Sequence, residues 1–118
     1  MKVEDLIQSR KEVFSISDEL TVHDAARYLR EKGVRSVGVC DREGKLVGVV
    51  SQSDISNEVA AENKCPAWMR VAEIMTTHLT TVPPDAPMDE CLRLMEKHGI
   101  FHLPVTDHQG HYRGMISV

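Results

Sequence analysis

The chain repeats itself. In one ungapped register at an offset of 66 residues, Gly33 matches Gly99, Asp41 matches Asp107, Gly44 matches Gly110, Gly48 matches Gly114 and Ser51 matches Ser117. Arg27/Arg93 and Val39/Val105 share that register, and Ile16/Val82, Asp24/Glu90, Leu29/Met95, Val34/Ile100 and Val50/Ile116 are conservative pairs within it. Upstream, the run Val3 to Ile7 echoes Val71 to Met75 at an offset of 68, so the first repeat carries two extra residues near Arg10 to Glu12. Self-similarity at a fixed period marks one supersecondary unit used more than once. A unit this small cannot bury a core alone. Two copies are therefore expected to pack face to face about a pseudo-two-fold axis, with paired clefts related by it.

Each unit reads the same way. Val13 to Ile16 and Leu79 to Val82 are β-prone. In unit one, Thr21 followed by Asp24 has capping-box spacing, and Val22, Ala25, Ala26 and Leu29 recur on one helical face. In unit two, Pro87 suits a first helical turn, and Met88, Cys91, Leu92 and Met95 repeat the apolar spacing. Gly33 and Gly99 then stand where helices end. Two strands follow in each unit, Ser36 to Cys40 with Leu46 to Val50, and Phe101 to Val105 with Tyr112 to Ile116. Each pair is joined by a connection that opens on Asp and closes on Gly, which is hairpin chemistry. A second helix follows Ser51, with Ile55, Val59 and Ala60 as its apolar stripe. Val3 to Ile7 and Val71 to Met75 read as short helices leading into each unit. The predicted class is α/β (α+β), with two βαββα units: residues 1–62, a linker at 63–70 holding the only Trp, and residues 71–118.

Composition narrows the function classes. At 118 residues the chain fits one domain. Aromatics are 4% of it, so the core must come from Val, Leu, Ile, Met and Ala. A net charge of -4 weighs against nucleic acid as a main partner. Three cysteines with no CxxC pair argue against a disulfide framework and for a reducing compartment. Cys40 and Cys91 read as small core residues. No apolar run is long enough to span a bilayer, and the acidic N-terminus lacks a signal core, so a cytoplasmic location is expected. The six histidines do not form a zinc pattern: Gly99 interrupts His98 and His102, and His108 and His111 flank a turn. No metal site is expected. No P-loop, GxGxxG, nucleophile elbow or nucleophile–base pattern is present, so no enzyme is expected.

The segment Gly48-Val49-Val50-Ser51-Gln52-Ser53-Asp54 resembles the G-h-x-S/T-x-x-D signature of cystathionine-β-synthase (CBS) domains. Unit two carries its start as Gly114-Met115-Ile116-Ser117, and the stretches Thr80 to Asp85 and Gly99 to Asp107 agree with the same family. The resemblance covers essentially the whole chain as a tandem pair, a Bateman module. It implies a regulatory module that binds an adenine nucleotide or another adenosyl compound (AMP, ADP, ATP, NAD or S-adenosylmethionine), requires no cofactor, and pairs as a homodimer. The alternatives are a dimerisation module with no physiological ligand, or the detached regulatory part of a larger enzyme or transporter.

Physical chemistry supports the signature. Ser51 stands where a strand gives way to a helix, whose first N–H groups and dipole favour an anion such as phosphate. Asp54, one turn on, is placed to accept from ribose hydroxyls, and Gly48 clears the last strand for a flat base. The resemblance gives Ser51 and Asp54 the phosphate and ribose roles. The candidate set is Gly48, Ser51, Ser53 and Asp54, with Ile116 and Ser117 as their echo, and Arg35, Thr80, Thr81 and His102 around the cleft; Ser15 occupies the first strand. The plain alternative makes Ser51 an N-cap, Asp54 a first-turn acid, Arg35 a solvated cation, His102 a strand end, and the threonines strand formers. The register puts the second acid at position 120, past Val118. The second unit is thus expected to lack its closing helix, so either the sequence is trimmed or only one site is competent; a native end there would expose apolar surface, and trimming is expected.

Overall fold

A computed structural model describes residues 1–10 and 12–117. Lys11, inside the stretch of extra residues, and Val118, the edge of the expected trimming, lie outside the described residues. The elements are α1 (Val3–Gln8), β1 (Ser15–Ser17), α2 (Val22–Lys32), β2 (Ser36–Cys40), β3 (Leu46–Ser51), α3 (Gln52–Ser56), α4 (Met88–His98), β4 (His102–Thr106) and β5 (Tyr112–Ser117). A π-helical turn, Asn57–Ala61, continues α3, and 3-10 turns occupy Pro66–Trp68 and Val71–Glu73.

Local chemistry explains most boundaries. Thr21 caps α2 by accepting from the Asp24 N–H at 3.1 Å. Gly33 and Gly99 end α2 and α4 with φ of 67° and 63°, a left-handed geometry that costs glycine nothing. Pro87 is the N-cap of α4 rather than its first-turn residue. The α4 stripe differs from expectation at one residue: Leu92 is 51% exposed, while Leu94 packs on the core. A stripe centred on Cys91 and Met95 can be flanked on either side, and spacing does not say which. Ala60 is exposed, and the Val71 segment forms a 3-10 turn rather than an α-helix.

In the first repeat, β1 runs parallel to β2, and β2 antiparallel to β3. In the second, β4 and β5 pair antiparallel, but Leu79 to Val82 yields only a single parallel bridge, Val82 to Val105. The reason is covalent. In repeat one the Asp18 N–H continues the ladder to Cys40 O at 3.0 Å. Its register partner is Pro84, which has no N–H to give.

The two repeats are joined by reciprocal bonds. Leu46 N–H donates to Gly110 O at 3.0 Å, and its counterpart Tyr112 N–H donates to Gly44 O at 3.2 Å. Likewise Val22 N–H donates to Met69 O and Met88 N–H to Met1 O, while Val71 N–H donates to Leu20 O and Val3 N–H to Ala86 O. Each contact has its mirror, which is the signature of a two-fold relation. The same bonds show where the lead-in segments go. Val3 is fully buried in the cluster of Val82, Cys91, Met95, Leu103, Val105 and Ile116. Val71 is fully buried in the cluster of Ile16, Ala25, Leu29, Val37, Val39 and Val50. Each lead-in segment therefore completes the core of the other repeat, not of the repeat it precedes in sequence.

Candidate functional site

Two clefts lie between the repeats. The first, about 400 Å³, is walled by the end of β3 and start of α3 (Val49, Ser51, Ser53, Asp54), the segment leading into repeat two (Thr76, His78, Leu79, Thr80) and the start of β4 with Gly99, Ile100 and Phe101. The second, about 630 Å³, is walled by the end of β5 (Gly114, Met115, Ser117), the segment leading into repeat one (Ile7, Arg10, Glu12, Val13, Phe14) and Gly33 to Ser36 at the start of β2, with Tyr112. Both volumes suit a small organic ligand. Ser36 and His102, which are register partners, line both clefts.

In the first cleft, the β3-to-α3 turn orders its own polar groups. Ser51 Oγ accepts from the Asp54 N–H at 3.2 Å, and Asp54 Oδ2 accepts from the Ser51 N–H at 2.9 Å. Ser51 Oγ also lies 2.9 Å from Ser53 Oγ. This is a complete capping box, and it fixes hydroxyl and carboxylate side by side on the wall. It revises the expected phosphate geometry. The Gln52 N–H donates to Arg35 O at 2.9 Å, so two of the first three N–H groups of α3 already have partners.

Of the candidate residues, the structure gathers Ser51, Ser53, Asp54, Thr80 and His102 in the first cleft, and Arg35, His102 and Ser117 in the second. The others stand elsewhere. Gly48 lines neither cleft: a Cβ there would meet Met75 Sδ at 2.5 Å and Thr76 O at 3.1 Å, so its missing side chain admits the lead-in segment rather than a base. Ile116 is a core residue at 1% exposure. Thr81 is exposed outside both cleft walls, and Ser15 lines a shallow depression beside Cys40 and Tyr112. Phe14 was missed although it is the register partner of Thr80. Arg10 and Glu12 were missed because they sit where the register breaks, and that break was the available signal.

Burial, with Arg35 nearby, lowers the His102 imidazole below its ordinary 6.5. Burial raises the Tyr112 phenol well above its usual range, with Cys40 adding to the effect, so it stays neutral. Burial likewise raises the thiols of Cys40 and Cys91, reinforced by Asp41 and Asp18 around the first and by Glu90 and Asp89 around the second. Neither thiol is activated as a nucleophile. The His102 shift has a stability consequence. The unfolded chain takes up that proton at a higher pH than the folded one, so stability is full above about pH 6.5 and falls as pH drops below it. Denaturation between pH 7 and 5 is expected to show this loss, and His102→Asn to flatten part of it. Identical slopes in both proteins would refute the assignment.

The CBS domain family model matches residues 3–61 and again 71–118. The chain is 32% identical over 104 residues to an inosine-5'-monophosphate dehydrogenase of Nitrosopumilus maritimus, covering 88% of this chain and 20% of that protein. It is 30% identical over 107 residues to a homoserine O-acetyltransferase of Methanohalobium evestigatum, covering 91% and 21%. The chain thus spans about one fifth of the length of these curated relatives. Among solved structures, the CBS domain pair of protein MJ0100, in complex with 5'-methylthioadenosine and S-adenosyl-L-methionine, superposes with a TM-score of 0.86 at 27% identity, covering 99% of this chain and 89% of that one. Two matches of one family model, joined by the reciprocal bonds above, leave one assignment: the chain belongs to the CBS domain family and is a CBS domain pair, a regulatory module.

Proposed function

We propose that this pair is a metabolite sensor whose primary ligand is an adenosyl compound held in the cleft of Ser51, Asp54 and Thr80. One observation carries the reading: the capping box holds the Asp54 carboxylate on a cleft wall where its oxygens can accept from a ribose diol. A similar pair, that of MJ0100, binds 5'-methylthioadenosine and S-adenosyl-L-methionine, and AMP, ADP, ATP and NAD present the same ribose. Ligand bound between the repeats favours whichever relative arrangement it fits better, and that preference is what a regulated partner reads. The acting unit is a homodimer in the cytoplasm, and the module serves a larger enzyme or transporter, either in the same polypeptide or beside it. No catalytic step is assigned to it. The second reading, a dimerisation module with no ligand, draws on the same capping box, because an N-cap serine and a first-turn aspartate are accounted for by the start of α3 alone.

Thermal unfolding separates the two. A ligand at a hundredfold excess over Kd stabilises by about 2.7 kcal/mol, which raises the midpoint by several degrees. With millimolar 5'-methylthioadenosine or S-adenosylmethionine, such a rise is expected in the natural chain and its loss in Asp54→Ala. No rise with any adenosyl compound named above would leave the dimerisation module as the account.

A further inference from the structure

The two clefts are not copies of each other, and the differences fall where the repeat breaks its own symmetry. Among the described residues walling the first cleft there is no Arg or Lys, and its one carboxylate is Asp54, with the imidazoles of His78 and His102 as its other ionisable groups. The N–H groups of Gln52 and Asp54, which a phosphate would need at the start of α3, already serve Arg35 O and Ser51 Oγ. A polyanion entering there would face a carboxylate with no Arg or Lys beside it.

The second cleft sets two arginines, Arg10 and Arg35, against one carboxylate, Glu12. Arg35 stands on its wall where repeat two has Phe101, and the extra residues of repeat one bring Arg10 and Glu12 to it. Arg10 is anchored there: its guanidinium donates to Met115 O. At the first cleft the corresponding strand carbonyl, Val49 O of repeat one, is instead bonded by the Thr76 backbone N–H at 2.8 Å. The insertion thus replaces a neutral backbone contact with a cation. Arg35 is exposed, and among the described residues only its carbonyl is engaged in the fold, which leaves its five guanidinium donors for an anion.

We infer that the clefts divide their ligands by charge: the Ser51 cleft takes an uncharged or cationic adenosyl compound, and the Arg35 cleft takes the polyphosphate of a phosphorylated one. Adenosyl identity rests on the function proposed above, whereas the anion site does not, and the two are separable by probe. Inorganic tripolyphosphate carries no nucleoside, and 5'-methylthioadenosine carries no phosphate. Calorimetric titration of the full chain is expected to show tripolyphosphate binding that weakens about tenfold in Arg35→Gln, the loss of one charge-assisted contact. Arg35→Lys is expected to recover part of it, and Asp54→Ala to leave it unchanged. The two probes are expected to bind together without competing. Tripolyphosphate binding that is absent, indifferent to Arg35→Gln, weakened by Asp54→Ala or displaced by 5'-methylthioadenosine overturns the division. If tripolyphosphate behaves as expected while 5'-methylthioadenosine fails to bind, the anion site stands and the adenosyl reading falls.

Discussion

Val3→Asp is expected to cost at least about 3 kcal/mol of stability, because it places a carboxylate at a fully buried position within a hydrophobic cluster. Val3 is 0% exposed and packs among Val82, Cys91, Met95, Leu103, Val105 and Ile116. A domain of this size has about 5–15 kcal/mol in total, so the variant stands at the edge of folding. The informative feature is where the damage falls. The substituted residue opens the first repeat in sequence, yet the core it breaks is that of the second. Denaturant unfolding followed by circular dichroism measures the loss, and backbone amide exchange locates it in α4, β4 and β5. Met1→Ser, at a position 81% exposed, is the control and is expected to stay within about 0.5 kcal/mol. A Val3→Asp protein as stable as that control would mean α1 does not seal the second repeat.

Leu103→Ala is the second large effect. Leu103 is fully buried on β4, opposite Ile116 of β5, and emptying such a site costs about 2–5 kcal/mol depending on how far the neighbours collapse. The midpoint is expected to fall by on the order of 10 °C. The shape of the transition matters as much as its position. Because Val3 and Val71 each sit in the other repeat's cluster, the weakened protein is expected to unfold in one step. Two resolved transitions, one unmoved, would show that the repeats are energetically separate.

Local rules wrote much of this fold legibly. A glycine whose φ must be positive, a threonine three residues before a first-turn aspartate, and an Asp-to-Gly connection between alternating strands each act within a few residues, and each is found where the sequence places it. The losses occur where the deciding contact is distant. Nothing near Leu92 says which flank of α4 meets the core, and nothing near Val3 says which repeat it will enter, because the two lead-in segments carry nearly the same pattern. Gly48 shows the same limit in the site. Its lack of a side chain was readable, but the occupant of the space, Met75, comes from another segment. Ser51 and Asp54 were legible as a pair because their relation is itself local. The second cleft was not, because its cations come from an insertion and from a position where the repeats disagree, and matched registers draw the eye away from both.

The reciprocal placement of Val3 and Val71 bears on how such a chain arises. A lone unit of this kind would leave a groove in its own core that its own leader, pointing outward, does not fill. The remedy for an unfused ancestor is to trade leaders with a second copy, a domain-swapped dimer. Joining two copies end to end turns that exchange into an intramolecular one at high effective concentration. It also frees the two halves to diverge, since each sequence position then occurs once rather than twice. An arginine can enter one cleft without entering the other.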